Sequence, residues 1–174
     1  MSEIVRSLTR TPLQVWDFLM EPRLWGLKLT GFKPVLSNRF VMEHYSILGT
    51  NYTGECRCEI RSLIPERLLE FSMEPIGDAT RPRPTRWVLR FEINAYLAGS
   101  SVVVKIFGVD SSRRSERILL HVTRSFVDAQ LSKLSDSTKY GNRIGRTPNC
   151  RGELGIAPGP VGLNWSGALC DWGV

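Results

Sequence analysis

The sequence predicts an α+β domain: one antiparallel sheet of six strands, a long C-terminal helix packed on one of its faces, and short helices after the first strand. Three observations carry that reading. Six segments between Glu3 and Gly108 alternate apolar and polar residues with the period of a half-buried strand. The last five follow one another without an intervening helix, and such a meander buries one face and wets the other. Residues 112–135 then hold an apolar arc at helical spacing, broad enough to cover the dry face.

The first strand, "EIVRSLTR", puts Ile4, Arg6 and Leu8 on one side and Val5, Ser7 and Thr9 on the other. A helix start follows in "TPLQ". Thr11 is an N-cap, Pro12 suits the first helical position, and Gln14 completes a capping box. The polar face of this helix is narrow (Gln14, Asp17, Glu21), so Leu13, Val15, Trp16, Phe18, Leu19 and Met20 predict a largely buried element with Trp16 in the core. Pro22 ends it or opens a second short helix, "PRLWGLK".

Four strands of the meander share a design. "NRFVMEHY" sets Phe40, Met42 and His44 against Arg39, Val41 and Glu43. "YTGECRCEIRSL" sets Cys56, Cys58 and Ile60 against Glu55, Arg57 and Glu59, and "RLLEFSME" turns Leu69, Phe71 and Met73 inward. After "PIGDATRPRP", a connection by composition, "TRWVLRFEINAY" turns Trp87, Leu89, Phe91 and Ile93 inward. "SVVVKIFG" completes the sheet with Val102, Val104 and Ile106 dry and Lys105 wet. In the long helix, Ile118, Leu119, Val122, Phe126, Val127, Leu131 and Leu134 oppose His121, Arg124, Asp128, Ser132 and Ser135. Residues 1–140 therefore form the predicted domain. Residues 141–174, with eight glycines and three prolines and no periodicity, are expected to be an irregular, disordered tail.

Composition narrows the function classes. The net charge of +6 divides into +2 over residues 1–110 and +4 over residues 111–174, with no basic stripe interleaved with aromatics, so specific nucleic-acid binding is not expected. No apolar run approaches the ~18 residues of a membrane span. "MSEIVRSLTR" carries charges where a signal peptide is apolar. The expected location is cytoplasmic, with the cysteines (56, 58, 150 and 170) reduced. Cys56 and Cys58 share a strand face without a second pair, which makes no metal site. No glycine-rich phosphate loop opens a helix, so no nucleotide cofactor is expected. A Cys–His pair built from His44 and either Cys56 or Cys58 is one alternative. The plainer reading is a core histidine beside inert thiols, and no catalytic residue is assigned.

"TRTPLQVWDFLMEPRLW" resembles the opening of the SRPBCC, or START-like helix-grip, superfamily. Its nearest likeness is the branch named for homologues of the heat-shock-chaperone ATPase activator, through Pro12, Val15, Trp16, Leu19 and Pro22. "GECRCEIRSLIPERLLEFSM" is similar to a later strand pair through Gly54, Glu59, Pro65, Leu68 and Phe71, and the resemblance covers about residues 3–109. It implies a curved sheet gripping the C-terminal helix, with a cavity between them. Relatives hold lipids, hormones or polyketides there, and some are cyclases or chaperone cofactors. After Phe107 the sequence departs from the pattern, since the expected helix tryptophan is missing and the Gly/Pro-rich tail follows. A reading frame shifted near residue 110 would explain the change, and resequencing tests it.

The function expected from these readings is binding of a hydrophobic, lipid- or polyketide-like molecule. The candidate lining is Trp25, at the cavity mouth, with Phe40, Met42, His44, Cys56, Cys58, Phe71, Met73, Trp87, Leu89 and Phe91. His44 is the candidate for orienting the ligand. The alternatives are a protein-interaction or chaperone-cofactor module, and a cyclase- or hydrolase-like enzyme.

Overall fold

The computed structural model describes residues 1–21, 25–48, 50, 52–77, 86–97 and 99–135. The chain runs β1 (Ser2–Leu8), α1 (Pro12–Met20), β2 (Lys28–Thr30), β3 (Arg39–Glu43), β4 (Glu55–Ile64), β5 (Leu68–Pro75), β6 (Trp87–Tyr96), β7 (Gly99–Phe107) and α2 (Arg114–Ser135). All strand pairs are antiparallel in one curved sheet of order β1-β7-β6-β5-β4-β3-β2. The α+β architecture, the single sheet and the long terminal helix are as the sequence predicts. The expected tail, residues 141–174, lies outside the described residues.

The strand count is a correction: among the described residues there are seven, not six. The additional strand, β2, takes the last residue of "PRLWGLK", the option for a second helix, and the two residues after it; Leu29 pairs with Met42 and Thr30 with Val41. Three residues are too few to show a period, so tertiary pairing alone makes this strand. The Lys28–Glu43 ion pair at 2.9 Å joins the same two strands on the wet side. Hydrogen bonds from Lys28 and Thr30 hold the Glu43 carboxyl below its ordinary pKa.

Local chemistry starts α1 as expected. The Thr11 amide donates to Gln14 Oε1 (3.1 Å), and the Gln14 amide donates to Thr11 Oγ1 (3.3 Å). The helix buries Val15, Phe18 and Leu19, while Trp16 is only half-buried at the rim of the core. This corrects the placement of Trp16. A nine-residue helix lying on a sheet can bury one stripe, and Trp16 falls beside it.

α2 begins at a polar knot. The Ser112 amide and hydroxyl donate to Asp110 Oδ1 (3.1 and 2.5 Å), and the Asp110 amide donates to the buried Glu116 carboxylate (2.7 Å). Those serine bonds, with the Arg113 ion pair, hold the Asp110 carboxyl below its ordinary pKa. The helix buries Leu119, Val127, Leu131 and Leu134 as predicted, and also Glu116 and Gln130, which the apolar arc omits. It is tied to β1 by an Arg6–Asp128 ion pair and by Arg124 donating to the Ser2 hydroxyl.

Candidate functional site

Between the inner face of the sheet and α2 lies a cavity of about 50 Å³. Strand periodicity delivers one wall: Met42, Cys56, Phe71, Met73 and Leu89 project from β3 to β6. Helical periodicity delivers the opposite wall through Leu119, Val122, Thr123, Phe126 and Val127. The remainder comes from two connections, Trp25 and Leu27 before β2, and His44, Ile47 and Tyr52 between β3 and β4.

Seven of the eleven residues expected at the site are thus brought together: Trp25, Met42, His44, Cys56, Phe71, Met73 and Leu89. The other four, Phe40, Cys58, Trp87 and Phe91, point inward but lie outside this lining. The rings of Phe40 and Phe91 back the wall at 5.9 and 6.1 Å from that of Phe71. Cys58 and Trp87 flank Met73 in register on the neighbouring strands. Trp87 is fully enclosed, and its indole N–H has no hydrogen-bond partner among the described residues. An inward-pointing side chain in a close-packed sheet meets either the cavity or another side chain, and alternation does not say which.

Trp25 is a core residue rather than a mouth residue. Its indole N–H donates to Phe18 O (3.1 Å), and its ring lies 6.2 Å from Phe18 and 5.6 Å from Phe91. His44 sits one residue past β3, half-buried, with its ring edge-on to Phe126 at 5.5 Å. Its backbone amide donates to Gly54 O (2.7 Å) and closes the root of the β3–β4 connection. Periodicity missed Leu27, Ile47 and Tyr52 because connections carry none. Leu119, Val122, Phe126 and Val127 were legible as an apolar arc but not as a cavity wall, and Thr123 was not part of that arc.

The Cys–His alternative is not assembled among the described residues: Cys56 meets the Tyr52 hydroxyl at 3.3 Å, and the Cys58 thiol donates to Cys56 O at 3.8 Å. Burial pushes the Cys56 thiol up to about 11, partly offset by that hydrogen bond. Burial and then Cys56 push the Cys58 thiol up further; burial first, and then Cys56, raises the Tyr52 phenol. A protonated thiol is a poor nucleophile. At pH 8, iodoacetamide is expected to leave the Cys56 and Cys58 peptides unmodified in the folded protein and to alkylate both after denaturation, read by peptide mass mapping. The pH dependence follows with its sign. The thiols keep their protons longer when folded, so their contribution to stability is full below the ordinary thiol value of 9.0 and falls as pH rises from there through about 11.

No family model matches the chain, and no curated protein matches it. Solved structures do. Protein MLL2253 from Mesorhizobium loti has a TM-score of 0.64 at 20% identity, over 79% of this chain and 97% of that one. The Aha1 dimer from Colwellia psychrerythraea has a TM-score of 0.56 at 13% identity, over 82% and 99%. DynU16, of the dynemicin biosynthetic locus, has a TM-score of 0.56 at 13% identity, over 75% of this chain and 45% of that one. At such identities the likeness is one of fold: the curved antiparallel sheet closed by a long helix after the last strand.

Proposed function

We propose that the chain binds a hydrophobic small molecule in the cavity between the sheet and α2. The composition of the lining carries this reading. Among the described residues it contains no Lys, Arg, Asp or Glu, and its polar atoms come from His44, Tyr52, Cys56, Thr123 and the already bonded Trp25 indole. An apolar space with few polar groups is the usual form of a small-molecule site.

Size sets how such a ligand is admitted. About 50 Å³ is well below the ~150 Å³ of an engineered cavity that takes benzene, and further below the roughly 300 Å³ at which drug-sized pockets begin. A single ring needs the flexible Met42 and Met73 side chains to yield. A lipid- or polyketide-sized molecule needs the β3–β4 connection or α2 to move outward. The fold likeness to DynU16 supports including dynemicin-type biosynthetic intermediates among the ligands tested.

One observation favours a second reading, a protein-interaction module. The connection that lines the cavity with His44 and Ile47 exposes Tyr45 (84%) and Leu48 (97%), and the β2–β3 connection exposes Val35 and Leu36. The Aha1 likeness belongs with this reading. An enzymatic reading has a polar pair in the lining, Tyr52 and Cys56, but burial raises both, so neither is a base near neutral pH. Native mass spectrometry of protein purified from its own host, with thermal shifts against lipids and polyketides, tests the proposal. A co-purifying small molecule displaced by one of the panel is expected. A bare chain with no shift throughout would leave the interaction module as the better account.

A further inference from the structure

We infer that the cavity selects an uncharged ligand bearing a carbonyl-type oxygen, received by the hydroxyl of Tyr52. This rests on the binding reading above and names the chemistry of the ligand.

Tyr52 is only 9% exposed and lines the cavity. Among the described residues its hydroxyl has one partner, Cys56 Sγ at 3.3 Å. A thiol is a weak donor and a weak acceptor, whereas a buried phenol ordinarily finds a stronger partner. A ligand carbonyl would replace sulfur with oxygen as acceptor and cost the protein little. The phenol is also held in place, although it lies in a connection. The Tyr52 amide donates to Thr50 Oγ1 (3.2 Å), and Thr50 Oγ1 donates to Ile47 O (2.8 Å). On the other side, Thr53 donates to Ile76 O from its amide (3.0 Å) and its hydroxyl (3.1 Å). Burial keeps the phenol protonated, so it stays a donor.

Charge excludes the obvious competitor. A fatty-acid carboxylate entering this space would lose its hydration and meet no lysine or arginine among the described residues of the lining. The one cationic candidate among the described lining residues is His44, whose ring packs edge-on against Phe126 and Tyr45.

A matched set of single-ring probes tests the inference: ethylbenzene, acetophenone and benzoate, titrated into the full chain and followed by amide shifts in two-dimensional NMR. Tyr52→Phe keeps the ring and removes only the donor. It is expected to weaken acetophenone about 3- to 10-fold and to leave ethylbenzene within about twofold, which also reports an intact fold. Benzoate is expected to bind at least about 30-fold more weakly than acetophenone. Cys56→Ser, which offers the phenol a stronger internal partner, is expected to weaken acetophenone alone. Equal losses for both neutral probes in Tyr52→Phe would overturn the inference and leave the binding reading standing. Benzoate binding as tightly as acetophenone, and lost in His44→Leu, would overturn it by moving polar recognition to His44. Failure of all three probes to bind would overturn the inference together with the reading beneath it.

Discussion

Trp25→Ala is expected to lose about 3–5 kcal/mol of stability, and Trp16→Ala no more than about 1–2 kcal/mol. Nine residues apart, the two indoles have different surroundings. Trp25 is buried, stacks on Phe18, meets Phe91 edge-on and donates its N–H to Phe18 O. Removing it opens a hole beside an existing cavity and strips a wall from the candidate site. Trp16 packs half-buried at the rim, where solvent already takes part of its surface. Urea denaturation of the two variants, with unchanged slopes, measures the contrast. Equal losses would mean that Trp16 supports the core as the helix pattern alone predicts.

Gly54→Ala is expected to cost about 2–4 kcal/mol and to weaken any ligand of the cavity in the same variant. Gly54 has a φ of +103°, and a Cβ there would lie 2.3 Å from His44 O. Backbone strain and collision thus fall at one point, the root of the connection that presents His44, Ile47 and Tyr52. Gly26 separates the two effects. Its φ of +65° also favours glycine, but a Cβ would meet nothing within 4 Å, so Gly26→Ala is expected to cost only about 1 kcal/mol. Thermal denaturation of both, beside the probe titrations, distinguishes backbone preference from the collision. A Gly54→Ala protein as stable as Gly26→Ala would show that the connection shifts freely, in keeping with a loop that opens for larger ligands.

How much of the candidate site could be read from the sequence follows from where each lining residue sits. Met42, Cys56, Phe71, Met73 and Leu89 were legible because a strand shows alternate side chains to one face. Phe40, Cys58, Trp87 and Phe91 satisfy the same rule and yet stand behind the wall or beside it. Tyr52 follows no period. It reaches Cys56 because Thr50, Thr53 and the Gly54 turn fold the chain back.

The sequence by itself determined which residues form strands and a long helix, which face of each is dry, and how α1 begins. These depend on alternation, helical spacing and capping, all of which act within a few residues along the chain. Only the tertiary structure decided that Lys28–Thr30 pair as a seventh strand, that Trp25 rather than Trp16 enters the core, and which inward side chains surround the cavity. The physical reason is that a cavity is the space left where α2 and the sheet fail to interdigitate. Its outline depends on the curvature of the sheet, the position of the helix and the path of the connections, which are properties of residues far apart in sequence.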